Sequence, residues 1–143
     1  MKLVVDASVV IPCFVPERFS TAARTWLDAA DTLLAPELLS LECANALWKK
    51  VRRKEITVTD ARDALEHVLG GFIKLHSSSA LARGALRWGC ALDHPAYDCA
   101  YLALAETEQA ELLTADRELV QRLLASGSSV HAHWVGDTLP RLP

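Results

Sequence analysis

Asp6, Glu42, Asp98 and Asp116 stand where folding alone gives an acid little reason to be. Asp6 directly follows the apolar run Leu3-Val4-Val5, and Asp116 lies two residues beyond Glu111-Leu112-Leu113-Thr114. Glu42 sits among Leu38, Leu39, Leu41, Cys43, Ala44, Ala46, Leu47 and Trp48, with Asn45 and Lys49 extending a narrow polar stripe at helical spacing. Asp98 is the lone charge in AYDCAYLALA, residues 96–105, a segment apolar enough to be enclosed. Each acid also has a structural reading. Asp6 and Asp116 suit helix N-caps, Asp98 suits the positive end of a helix dipole, and Glu42 suits a solvated helix face. Asp93 belongs to a loop and has a capping or solvated role.

The combination points to chemistry. Four nearby carboxylates repel one another, and proteins tolerate that by protonating some of them or by binding a hard cation. An all-oxygen set, without cysteine or clustered histidine, favours Mg²⁺ or Mn²⁺ over zinc. Such ions hold phosphate oxygens and activate water.

These acids need a scaffold that brings them together, and the chain reads as one. Apolar runs at Leu3–Val5, Thr32–Leu34, Phe72–Leu75, Glu111–Thr114 and Val130–Val135 predict five short buried strands. Helical spacing is predicted after Ser20 through Ala30, from Pro36 to Lys54 with proline in the first turn, from Asp60 to Leu69, after Ser77 to Ser79 through Leu81 to Trp88, from Ala96 to Glu108, and from Arg117 to Ala125. Strands alternating with helices predict an α/β sandwich around a mostly parallel five-stranded sheet. In open α/β sheets, ligands bind beyond the carboxyl ends of the strands, where Asp6 and Asp116 fall.

At 143 residues, 51% of them hydrophobic, the chain suits a single domain, 1–143, with a sizeable core, which excludes a disordered or disulfide-scaffold class. A formal charge of -3 gives no general attraction to polyanions. Setting aside the four acids turns -3 into +1, and Lys49, Lys50, Arg52, Arg53 and Lys54 form a basic helix end that can meet a phosphate backbone. Cys13, Cys43, Cys90 and Cys99 lack metal-ligand spacing and read as small buried hydrophobes in a reducing compartment. Asp6 and Pro12 interrupt the first apolar stretch, so no cleaved leader is expected, and no run approaches the ~18 to 20 residues of a membrane span. A cytoplasmic protein is the expectation.

Asp6-Ala7-Ser8, Glu42 with Asn45, YDCAYLALAE from Tyr97 to Glu106, and Thr114-Ala115-Asp116 together resemble the PIN-domain proteins, specifically the VapC toxins of toxin–antitoxin pairs. The resemblance spans nearly the whole chain in order and spacing. It implies a PIN-like three-layer α/β sandwich and an endoribonuclease dependent on Mg²⁺ or Mn²⁺. It carries over Asp6, Glu42, Asp98 and Asp116 as catalytic metal ligands, with Ser8, Asn45 and Thr114 supporting them. It also implies an RNA substrate, a cognate antitoxin and a homodimer. His131, His133 and Trp134 match no part of the pattern and read as strand residues.

Two rival readings make different predictions. Asp6-Ala7-Ser8-Val9-Val10 faintly resembles the nucleophilic motif of haloacid dehalogenase-like phosphatases, but Ser8 stands where that motif has a second aspartate. A catalytically silent PIN-like module would bind RNA or protein and leave RNA whole in Mn²⁺.

Overall fold

The computed structural model describes residues 1–140. The strands are β1 (Lys2–Val5), β2 (Thr32–Pro36), β3 (Lys74–His76), β4 (Glu111–Thr114) and β5 (Ala132–Trp134), all paired in parallel in the order β3-β2-β1-β4-β5. Leu3, Val4 and Val5 are each fully buried. Successive strand side chains point to opposite faces, so helices must cover both sides of the sheet, and three layers follow.

The helices are α1 (Ala7–Val10), α2 (Ser20–Ala29), α3 (Leu38–Arg52), α4 (Val58–Val68), α5 (Ser78–Leu92), α6 (Ala96–Glu108) and α7 (Arg117–Ala125), with a 3-10 turn over Ile11–Cys13. Helix α6 is the central one. Cys99 through Ala105 are all buried, and the helix packs against β1, β2 and β4. None of the described helices is long and apolar enough to cross a membrane.

Most elements lie where the periodicity places them, and the differences have physical reasons. Pro36 ends β2 instead of opening α3, because the chain stays extended until the Glu37 N–H reaches the His76 carbonyl at 2.7 Å. Phe72 and Ile73 precede β3, since pairing with β2 begins only at Leu34 opposite Lys74. The fifth strand shortens to Ala132–Trp134, leaving His131 outside it, while His133 Nε2 pairs with Glu111 Oε2 at 2.5 Å across β5 and β4. The four cysteines are free. Cys43 and Cys99 are buried as expected, but Cys13 is half-buried and Cys90 is exposed. Leu81, Ala85, Trp88 and Leu92 form the buried face of α5, and Cys90, two residues past Trp88, falls on the opposite side.

Helices α5 and α6 meet at small residues. A Cβ added to Gly84 would lie 2.8 Å from the Ala103 Cβ, which has no flexible end to move away. Gly84→Ala therefore sets a helix-propensity gain of ~1 kcal/mol against overpacking of ~1 to 3 kcal/mol. A net loss of ~1 kcal/mol is expected in urea unfolding, and a gain in stability would show that the two helices separate easily.

Candidate functional site

The sheet order reverses direction at β1, whose neighbours are β2 on one side and β4 on the other. The crevice beyond the β1 and β4 carboxyl ends is thus the topological switch point. Asp6 leaves β1 in extended backbone and caps α1, its Oδ1 accepting the Ser8 N–H at 3.0 Å and also the Ser8 hydroxyl. Its Oδ2 accepts the Thr114 hydroxyl, which arrives from the end of β4, at 2.5 Å. Thr114 is the buried polar side chain at the floor of the crevice. Its Oγ1 also accepts the Asp116 N–H at 3.0 Å, and Ser8 Oγ accepts the Ala115 N–H at 3.0 Å. Two hydroxyls therefore lock the β1 and β4 ends together around one carboxylate.

Asp116 caps α7, with Oδ1 accepting the Leu119 N–H at 3.0 Å. Its other oxygen, Oδ2, faces His94 Nε2 at 3.5 Å. Both capping roles foreseen for Asp6 and Asp116 thus exist, and neither uses up the carboxylate. Asp98 occupies the third position of α6 and is half-exposed. Glu42, on α3, accepts the Tyr101 hydroxyl at 2.8 Å on Oε1. Asn45 is exposed one turn further along α3 and, among the described residues, hydrogen-bonds to none of the four acids. It shares a cleft of about 300 Å³ with Ser8, Glu42 and Lys49. The basic helix end is only partly available, since Lys50 is held by Glu17 at 2.5 Å and Glu55 at 3.3 Å.

The acids sense one another. Burial pushes the Asp6 carboxyl from 3.8 up to about 6; the Ser8 and Thr114 hydrogen bonds oppose that rise, and the Asp98 charge adds to it. Glu42 is also raised, first by burial and then by the charges of Asp6 and Asp98, with the Tyr101 hydrogen bond opposing. Burial beside Glu42 and Asp6 raises the Tyr101 phenol as well, so it stays a hydrogen-bond donor. The site gathers more negative charge than its own donors neutralise.

Two participants lie outside the residues singled out above. Tyr101 is one; a buried tyrosine needs a partner for its hydroxyl, and its place three residues after Asp98 on an apolar helix was the available signal. His94 is the other. Its Nε2 lies 2.9 Å from Asp98 Oδ2 and 3.5 Å from Asp116 Oδ2. The donor set around the crevice is therefore not all oxygen: among the described residues His94, Asp98 and Asp116 offer ligand atoms within 4.8 Å of one another, while Asp6 and Glu42, both raised by burial and by neighbouring charge, add negative charge beside them, and the combination suits a divalent cation.

Residues 3–122 match the PIN domain. The chain belongs to the PIN-domain family. Over 129 residues this PIN domain is 39% identical to Ribonuclease VapC3 of Pyrobaculum aerophilum, covering 87% of this chain and 97% of that protein. The crystal structure of PAE2754, also from Pyrobaculum aerophilum, superposes with a TM-score of 0.62 at 26% identity, covering 85% of this chain and 84% of the other. VapC20 of Mycobacterium tuberculosis, a sarcin–ricin-loop-cleaving toxin, shares the fold at a TM-score of 0.61 and 15% identity, over 77% of this chain and 86% of its own. The PIN-like α/β sandwich is thereby established, and the chain is a homologue of a VapC ribonuclease.

Proposed function

We propose that this PIN domain is a Mg²⁺- or Mn²⁺-dependent endoribonuclease, the toxin of a VapBC-type toxin–antitoxin pair acting in the cytoplasm, with Asp6, Glu42, Asp98 and Asp116 as its catalytic metal ligands. The observation that carries the reading is the crowding of carboxylates at the switch point, with Asp6 driven up to about 6 by burial. The identity to Ribonuclease VapC3 supports the same activity.

Each residue then has a task. Asp6, held by three donors, forms the rigid inner wall of the site. Ser8 and Thr114 spend their hydroxyl protons on Asp6, which fixes the direction of its remaining lone pairs. Tyr101 does the same for Glu42. Asp98 and Asp116, both partly exposed, face the substrate side. Together these acids would hold a divalent cation, which when bound would supply a more acidic water and offset charge on the phosphate. Lys49 and Asn45, along the cleft beside Glu42, suit the contact with a flanking phosphate. Since the site can activate water itself, the RNA 2′-hydroxyl need not attack, and products carrying a 5′-phosphate and a 3′-hydroxyl are expected.

An apolar groove of about 610 Å³ opens beside Glu42, lined by Leu38, Leu41, Ala82, Ala85, Tyr97 and Ala100. Leu41 and Tyr97 are each 77% exposed. The groove suits an antitoxin segment that lays apolar side chains along it and turns a lysine or arginine toward the acids, excluding the cation. The proposal includes a homodimer.

The test is cleavage of total RNA by the purified full chain. Cutting in Mg²⁺ or Mn²⁺ that stops in excess chelator is the expected result. Intact RNA in Mn²⁺ would instead favour a silent RNA- or protein-binding PIN module, and undiminished cutting in chelator would remove the metal mechanism.

A further inference from the structure

The carboxylates alone would form a site of hard oxygen donors, but the structure places a nitrogen among them. We propose that His94 is itself a metal ligand, sharing one cation with Asp98 and Asp116 and biasing this position toward Mn²⁺ over Mg²⁺. The inference rests on the reading of the four acids as a cation site and adds a fifth donor to it.

Three ligand atoms, one each from His94, Asp98 and Asp116, lie within 4.8 Å of one another. The Nε2 separations are 2.9 Å to Asp98 Oδ2 and 3.5 Å to Asp116 Oδ2. Two ligands held about 2.1 Å from the same ion stand about 3.0 Å apart at a right angle and about 3.4 Å apart at a tetrahedral angle. The present spacings already match neighbours in one coordination shell.

The backbone that presents His94 is held from several sides. Asp93 adopts a left-handed conformation, φ 51°, at the end of α5, and the His94 N–H closes onto the Gly89 carbonyl at 3.2 Å. Gly89 permits that return, since a Cβ there would sit 3.0 Å from the His94 carbonyl oxygen. From α7, Arg122 Nη1 donates to the Leu92 carbonyl at 2.9 Å and also to that of Asp93. The His94 side chain is only 8% exposed, so the ring has little freedom to swing away.

A histidine that only hydrogen-bonds to Asp98 keeps its proton on Nε2. A ligand histidine must offer the Nε2 lone pair, with the ring proton on Nδ1 and any second proton released to solvent. Imidazole is a better partner for transition cations than for Mg²⁺, which favours oxygen; Mn²⁺ is the weakest of those cations, so the nitrogen ligand favours Mn²⁺ over Mg²⁺ and also removes the all-oxygen bias against zinc.

The deciding experiment is pulsed electron paramagnetic resonance on the chelator-stripped full chain loaded with Mn²⁺, paired with calorimetric titration of Mn²⁺ and Mg²⁺. The native chain is expected to show ¹⁴N modulation from a directly bound imidazole. In His94→Gln that modulation disappears, the dissociation constant for Mn²⁺ rises ~10-fold or more, and that for Mg²⁺ moves by less than ~3-fold. His94→Asn provides the same comparison if the glutamine variant does not fold. Mn²⁺ that binds to the native chain and is lost in Asp98→Asn, yet shows no nitrogen modulation, overturns the His94 assignment and leaves the acid site standing. Nitrogen modulation that persists in both His94 variants also overturns it. No Mn²⁺ binding by the native chain overturns the inference together with the metal reading beneath it.

Discussion

Asp6→Asn is expected to lower RNA cleavage by about three orders of magnitude while raising the melting temperature of the chelator-treated protein at pH 7.5 by roughly 3 to 8 °C. The two effects have one cause. The carboxylate sits at the innermost point of the site, where burial and the Asp98 charge push it from 3.8 up to about 6. Above that range the folded protein holds an anion that it would rather not hold, at a cost of up to ~3 kcal/mol relative to the unfolded chain. Asparagine removes the anion. It keeps an oxygen to accept the Ser8 N–H and hydroxyl, but turns an NH₂ toward Thr114 Oγ1, so part of the gain is lost and ~1 to 2 kcal/mol should remain. Loss of activity with a lower melting temperature would make Asp6 chiefly a structural N-cap. Native activity in the variant would remove it from the catalytic set.

The second large effect is the pH dependence of that stability difference. A carboxyl whose folded value lies above its unfolded value keeps its proton longer in the native state, so native stability falls as pH rises through the interval between the two. For Asp6 that interval runs from 3.8 to about 6; the penalty is absent below it and complete above it. Urea unfolding in chelator should show Asp6→Asn no more stable than the native protein at pH 4, where the lost hydrogen bonding is not yet offset, with the difference rising to the variant's full advantage by pH 7. Glu42, also raised, acts with the same sign, and because the Asp6 charge is one cause of its rise, Asp6→Asn eases Glu42 as well and adds to the variant's advantage. Asp31 and Asp60, whose carboxyls are lowered by the chain N-terminus and by Thr57, act with the opposite sign but cancel in the difference. A cation bound at 100 times its dissociation constant should return ~2.7 kcal/mol to the native protein. An advantage that is flat with pH, or greater in acid, would contradict the burial of Asp6 as a crowded anion.

Much of the architecture was legible in the chain because long, strongly patterned segments leave few alternatives. AYDCAYLALAETE begins after Pro95, contains one early acid and seven consecutive buried positions, and forms α6 from Ala96 to Glu108 as the periodicity predicts. Helix α7 and strand β4 likewise keep their predicted bounds. Short elements were less legible. The single turn of α1 after Asp6 carries no periodicity, and the ends of β3 and β5 depend on which residues of β2 and β4 they meet, a register that exists only after the sheet assembles. The exposed Cys90 belongs to the same class, since a small apolar residue says nothing by itself about which helix face it occupies.

The α/β class, the parallel sheet and the odd placement of four acids are legible along the chain, because a charge on an apolar helix or at a strand end is anomalous in one dimension and needs no coordinates to be noticed. The company those acids keep comes from the folded chain alone. Ser8 and Thr114 lie 106 residues apart in sequence, yet they clasp the same carboxylate because β1 and β4 are neighbours in the sheet. Tyr101 reaches Glu42 across 59 residues because α6 and α3 both pack against β2. His94, followed by a proline and lying in a loop, has no pattern to mark it, and its ring comes between Asp98 and Asp116 only when the left-handed Asp93 and the Arg122 clamp turn the chain there. Pattern marks a residue that disagrees with its local surroundings. Partnership between distant residues depends on chain crossings and loop conformations that local patterning does not encode.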